Sequence, residues 1–119
     1  MILSATISTY QVRFRHVESY TSDRAAIYCR SDDERTQLLI VFYGEGEAIR
    51  EARVDNLPSG INRVVVSFPL SMLRDIHHIL QTEKPITLYA NNNNDYTQVT
   101  FGTGDESVGE EEDGGWIWN

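Results

Sequence analysis

A single stretch of this chain has apolar residues at helical spacing, and it sets the balance between helix and sheet. Five apolar residues fall on one stripe of such a helix: Met72, Leu73, Ile76, Ile79 and Leu80. Pro69 can occupy the first helical position, where its missing N–H costs nothing, and Pro85 stops the helix because it lacks the donor. The sequence therefore predicts one helix over about residues 69–82.

Most of the remaining sequence alternates between apolar and polar residues, a pattern typical of β-strands. Five such segments precede the helix and two follow it: 10–16, 25–30, 38–43, 48–54, 61–68, 86–90 and 96–101. Residues 48–54 also contain helix formers, and a strand is the favoured interpretation there. Leu38 to Tyr43 is a continuous apolar run, as expected for a central strand covered on both faces. The pattern predicts an α+β fold, a mainly antiparallel sheet of about six to seven strands packed against one helix.

Charge divides the chain into two parts. Residues 1–101 hold twelve acids and ten bases, a net charge of −2, and their length suits one α+β domain. Residues 102–119 hold six acids and no base. Val108 is the one aliphatic residue between Gly104 and Trp116. Such a segment buries too little apolar surface to offset its ordering entropy, so a flexible acidic C-terminal tail is predicted for residues 102–119.

The tail ends in Trp116-Ile117-Trp118, and large apolar side chains are costly to leave in water. Three outcomes are open for them. They fold back onto the domain, they dock on a second copy of the chain, or they anchor a partner protein. In the last case the aromatic anchors would act with four acids that steer a basic partner: Glu110, Glu111, Glu112 and Asp113.

Catalytic and metal-binding patterns are missing from the sequence. No Cys-x-x-Cys, His-Glu-x-x-His, phosphate-binding or dinucleotide-binding motif occurs, so no metal, cofactor or catalytic residue is predicted. The adjacent His77 and His78 would point about 100° apart on a helix and could not chelate one ion together. Cys29 and His16 could pair across neighbouring strands. Both fall on apolar-alternating positions, however, and a buried cysteine is usually inert.

Arginine supplies nine of the ten bases, and its placement indicates a candidate basic face. Arg13 and Arg15 share one side of a predicted strand with Gln11, whereas Tyr10, Val12 and Phe14 are expected to face inward. Arg30 is a further candidate for this face. Guanidinium groups bind phosphates or carboxylates in bidentate fashion. They can equally pair with acids on adjacent strands or with the acidic tail, and pairing is favoured because ten bases face eighteen acids.

Together these features predict a non-catalytic protein-interaction module, an adaptor, inhibitor or immunity-type protein, that contacts a basic partner surface. The alternatives are a homo-oligomer formed by self-association, a small enzyme using His16 and Cys29, and an inhibitor that mimics nucleic acid. A net charge of −8 argues against nucleic acid and anionic membranes as partners. The single cysteine and the lack of a signal sequence or a long apolar stretch predict a cytoplasmic protein.

Overall fold

A computed structural model describes residues 1–15, 24–83, 85–93 and 95–103. Its strands are β1 (Ile2–Phe14), β2 (Ala25–Ser31), β3 (Thr36–Tyr43), β4 (Arg53–Asn56), β5 (Asn62–Pro69), β6 (Ile86–Asn92) and β7 (Thr97–Thr103). A 3-10 turn, Leu70–Met72, leads into the helix α1 (Leu73–Thr82). The predicted α+β fold is confirmed, with five strands before one helix and two strands after it.

All seven strands belong to one sheet in the order β4-β5-β3-β2-β1-β6-β7. Neighbouring strands are antiparallel except β3 and β5, which are parallel. The parallel pair arises because the chain leaves β3, forms the edge strand β4 and then returns as β5 between them. β1 is shared by two partners: its first half pairs with β6 and its second half with β2, with an irregularity between Ile7 and Thr9.

The core lies between α1 and one face of the sheet. Its large, fully buried side chains come mostly from the central strands: Ile27, Leu38, Ile40, Phe42, Val64 and Leu88. α1 contributes Ile76 and Leu80 from its apolar stripe. On β3, Val41 and Tyr43 are also buried, on the other face of the sheet. Residues 38–43 therefore form the predicted central strand, which is buried on both faces in its second half, whereas Leu39 on the outer face is half-buried.

The sheet curls toward the face that α1 covers. Phe68 on β5 and Phe101 on β7 lie five strand positions apart, which in a flat sheet would separate them by about 24 Å. Their ring centroids are 6.1 Å apart, in an edge-to-face arrangement. The core face is therefore the concave side of the sheet, and the opposite face is directed outward.

The structure differs from the sequence prediction at the start of β1, which begins at Ile2 instead of residue 10, and in three further places. Pro69 is the last residue of β5, with φ −64° and ψ 149°, and the 3-10 turn begins at Leu70, so Pro69 ends the strand instead of opening the helix. Phe14, expected to face inward, is 76% exposed because it is the last residue of β1. Of the ambiguous segment 48–54, Arg53 and Val54 enter a strand, and residues 48–52 form the connection that precedes β4.

Several predictions concern residues outside the described ranges. These include His16, the turn at residues 21–23 and the acidic tail from residue 104 onward, with its predicted partner-binding residues. β7 continues through Thr103, two residues beyond the predicted domain boundary at 101. Within the described ranges, α1 is too short and too polar to cross a bilayer, and no other helix there qualifies.

Candidate binding surface on the outer face of the sheet

Three arginines converge on the outward-directed face of the sheet, opposite α1. Alternation along β1, β2, β3 and β5 places them there together with an aromatic, an amide and an aliphatic side chain. We call this surface the arginine face, and its members are Arg13, Tyr28, Arg30, Gln37, Leu39 and Arg63. They surround a depression of about 440 Å³. Strands far apart in the sequence thus build one continuous surface.

Strand register aligns the first row of this face. Arg30 on β2 lies opposite Gln37 on β3, and Gln37 lies opposite Arg63 on β5. Because neighbouring strands are about 4.8 Å apart, the Cα atoms of the two arginines are separated by about 10 Å. Arg63 Nε donates a hydrogen bond of 3.1 Å to Gln37 Oε1. This bond holds the side chain of Arg63 in place on the face.

A second row provides an apolar strip beside the first. Tyr28 and Leu39 lie opposite each other on β2 and β3. The guanidinium carbon of Arg13 lies 5.6 Å from the centroid of the Tyr28 ring, a cation–π distance. Tyr28 is still 41% exposed. The strip is therefore bordered by Arg13 on one side and by the row of Arg30 and Arg63 on the other.

The face keeps its positive charge, because within the described part of the chain no acid forms an ion pair with Arg13, Arg30 or Arg63. The nearest candidate by register is Asp55, which lies opposite Arg63 on β4. Its carboxylate instead accepts from Arg53 Nε at 3.0 Å. For Arg13 and Arg30 of the predicted basic face, pairing with an acid of an adjacent strand is therefore not seen among the described residues, and the predicted alternative of pairing with the acidic tail lies outside them.

Of the three candidates for the predicted basic face, two lie on the arginine face and one does not. Arg13 lies on the arginine face, and so does Arg30. Arg15 follows the end of β1, where its backbone N–H donates to the carbonyl of Arg24 at 2.8 Å, and it does not line the depression. Arg63 was not singled out from the sequence. Its outward position on β5 follows from alternation with Val64, but its proximity to Arg30 depends on the parallel pairing of β3 and β5.

Cys29 lies between Tyr28 and Arg30 in sequence but on the opposite face of the sheet. Its side chain is 3% exposed within the core. Burial raises the pKa of the Cys29 thiol to about 12, so the thiol is protonated at neutral pH. A protonated, enclosed thiol is a poor nucleophile. The described residues therefore lend no support to the alternative of a small enzyme using Cys29 and His16.

The histidines of α1 have different surroundings. His77 is half-buried and contacts Tyr10 of β1 edge-on, with ring centroids 5.6 Å apart. His78 is exposed, and its backbone carbonyl accepts from Thr82 Oγ1 at 2.7 Å. A group of three or more histidine, cysteine or carboxylate side chains suited to a metal ion is not found among the described residues.

Comparisons with known protein families, with curated proteins and with solved structures find no match to this chain. The arginine face is therefore interpreted from its own chemistry. Two arginines whose Cα atoms are about 10 Å apart, an intervening amide and an adjacent apolar strip suit an extended anionic chain with some apolar side chains.

Proposed function

We propose that the protein is a non-catalytic protein-interaction module whose arginine face binds an acidic segment of a partner protein. The observation that carries the proposal is the row of Arg30, Gln37 and Arg63, which presents two guanidinium groups without a carboxylate partner among the described residues. Arginine forms planar, bidentate pairs with carboxylates. Alternate residues of an extended segment are about 6.6 Å apart, and the reach of the glutamate and arginine side chains covers the difference from the separation of about 10 Å between the Cα atoms of Arg30 and Arg63.

An acidic protein segment is favoured over nucleic acid by the charge of the chain. Its net charge of −8 would repel a long phosphate backbone beyond the limited area of the face. A short acidic peptide meets the arginines without that long-range penalty.

A second contact is proposed for the acidic tail, as the sequence predicts. The supporting observation is the separation of charge, six acids without a base, next to Trp116 and Trp118. In this proposal the acids steer a basic partner surface and the tryptophans anchor it. Self-association is the alternative, in which the basic surface belongs to another copy of the chain.

Binding of a fluorescein-labelled, glutamate-rich peptide, followed by anisotropy, tests the arginine face. The variant carrying Arg30→Gln and Arg63→Gln should bind about five- to thirtyfold more weakly, because two exposed ion pairs of about 0.5–1 kcal/mol each are lost. Added salt should weaken binding to the unaltered protein, since exposed charges are screened.

Arg74→Gln is the matched control, because Arg74 is an exposed arginine of α1 on the other side of the sheet. It removes a positive charge without touching the arginine face, so the peptide affinity should stay unchanged. Arg74→Gln removes one charge where the double variant removes two, so a loss of binding free energy half as large would mean that only net charge matters. If a labelled oligothymidylate bound more tightly than the peptide, the ligand of the arginine face would be nucleic acid and not an acidic protein segment.

A further inference from the structure

The arginine face has a potential occupant within the same chain. The part of the acidic tail beyond Thr103 carries all six of the tail's acids and no base. The arginine face carries three arginines that form no ion pair with the described residues. We propose that the acidic tail docks on the arginine face of its own chain and shields it from acidic partners. The inference uses the surface of the proposed function, but it does not require that an outside partner exists.

Strand register places the start of the tail close to this face. Thr103 lies opposite Ile86, Ile86 lies opposite Ile7, and Ile7 lies opposite Ser31, the residue after Arg30. The chain therefore leaves β7 at the level of the sheet where the row of Arg30 and Arg63 lies. Measured along the curved sheet, three strand spacings, about 14 Å, lie between β7 and β2, and five, about 24 Å, lie between β7 and β5, and a segment on the convex side has to follow this path.

The length of the tail matches these distances. An extended chain advances about 3.3–3.6 Å per residue, so Glu110, seven residues after Thr103, can lie up to about 25 Å from it. The acidic run 110–113 can thus reach both Arg30 and Arg63. Asp105 and Glu106 are too close to Thr103 to reach Arg63. The outward-facing residues between β7 and β2 at this level include Thr87 and Thr6, which carry no charge that would repel the segment.

Acids of the domain lie near this path but do not occupy the face. Asp55 is bound by Arg53, and the turn with Asp32, Asp33 and Glu34 lies beyond the end of β2. These acids would repel the tail if it continued past Arg30 and Arg63 in the direction of the turn. A tail that reverses its direction and runs back over the sheet avoids this repulsion. Gly114-Gly115 permits such a turn.

A turn at Gly114-Gly115 would bring Trp116 and Trp118 onto the apolar strip of Tyr28 and Leu39. The acids would then pair with the first row of the face while the tryptophans cover the second. One binding mode thereby satisfies the charge and the apolar surface together, which makes the chain's own tail a better match than a uniformly acidic peptide. Because the tail is tethered, its effective concentration at the face is in the millimolar range or above.

Tryptophan fluorescence reports docking directly, because Trp116 and Trp118 are the two tryptophans of the whole chain. In the docked state we expect blue-shifted emission and protection from acrylamide. The variant with Arg30→Gln and Arg63→Gln should show red-shifted emission and at least about a twofold larger quenching constant, whereas Arg74→Gln should match the unaltered protein. Equal quenching in all three proteins would overturn the proposal. Protection that disappears on dilution would overturn it in favour of docking between two copies.

The effect on partner binding is tested in the full chain with Glu110→Gln, Glu111→Gln, Glu112→Gln and Asp113→Asn. This tail variant should bind the glutamate-rich peptide at least about fivefold more tightly, because the competing segment is weakened. The control neutralises four exposed acids of the domain instead: Glu45→Gln, Glu51→Gln, Asp75→Asn and Asp95→Asn. Its net charge is the same, so its affinity should rise less.

These two variants separate the inference from the proposed function. Equal peptide affinity in the tail variant and the unaltered chain would overturn tail docking while leaving the arginine face as a binding site. Peptide binding that is absent from both would overturn the proposed function, and the tryptophan measurements would still decide whether the tail docks.

Discussion

The two faces of the sheet come from the same strands, yet the side chains on them differ in burial and polarity. On β3, Leu38 is fully buried against the core, whereas its neighbour Leu39 is half-buried on the arginine face. On β2, Cys29 lies in the core between the outward-facing Tyr28 and Arg30. At these positions, alternation directs core side chains to one face and polar or half-buried side chains to the other. Substitutions on the two faces should therefore affect different measurements.

The largest expected difference is between Leu38→Ala and Leu39→Ala, the same substitution at adjacent positions of one strand. Leu38→Ala should lower the free energy of unfolding by about 3–4 kcal/mol, because it leaves a cavity in the core. Leu39→Ala should cost about 1 kcal/mol, since part of its surface is already in water. Urea denaturation followed by circular dichroism measures both. Equal losses would show that the outer face is packed as tightly as the core.

A smaller effect is expected at Ser31, a polar residue that is only 1% exposed. Its hydroxyl donates to Asp33 Oδ1 at 2.6 Å and accepts from the backbone N–H of Thr36 at 3.1 Å. Ser31→Ala leaves that buried N–H without its partner, so unfolding free energy should fall by about 1–3 kcal/mol. Ser31→Thr is the control, because it retains the hydroxyl.

The loss in Ser31→Ala should also depend on pH. The hydrogen bond from Ser31, followed by the one from the backbone N–H of Arg35, holds the pKa of the Asp33 carboxyl below its ordinary value. A carboxyl with a lowered pKa in the folded state contributes stability above its unfolded pKa, and this is lost as pH falls through the folded value. The difference in unfolding free energy between the unaltered protein and Ser31→Ala should therefore become smaller below about pH 4. A gap that is constant from neutral to acidic pH would contradict this assignment.

The smallest expected effect on stability is for Arg30→Gln with Arg63→Gln. These arginines have no ion pair within the described residues. The free energy of unfolding, measured by urea denaturation, should therefore change by no more than about 0.5 kcal/mol. Arg63 keeps one structural contact, its bond to Gln37, which glutamine can partly replace. A loss comparable to that of Leu38→Ala would show that the arginines serve the fold rather than a ligand.

The sequence was sufficient for the elements but not for their arrangement. The helix and the apolar run at β3 are local patterns, and both elements were predicted correctly, although Met72 and Ile79 of the predicted stripe are exposed. The first half of β1 was missed because Ile2 and Leu3 break the alternation there. Nothing local indicates that β5 returns between β3 and β4, since strand pairing depends on contacts distant in sequence.

The same reason limits what the sequence reveals about the candidate site. Arg13 and Arg30 were identified because alternation places them on the outer side of their strands. Arg63 could be included only after the register between Gln37 and Arg63 was known. The absence of ion pairs between Arg13 or Arg30 and acids of adjacent strands, within the described residues, has a related reason. The surplus of acids is a property of the whole chain, whereas pairing depends on which strands are adjacent.

The central claim is that carboxylates bind the outer face of the sheet at the arginine face. Nuclear magnetic resonance of the ¹⁵N-labelled full chain, titrated with the glutamate-rich peptide, tests it most directly. We predict that the Nε–H signals of Arg30 and Arg63 and the backbone amides around them shift together, while the amides of α1 stay in place. Shifts confined to α1, or shifts that leave both arginine signals unmoved as the peptide binds, would contradict the account.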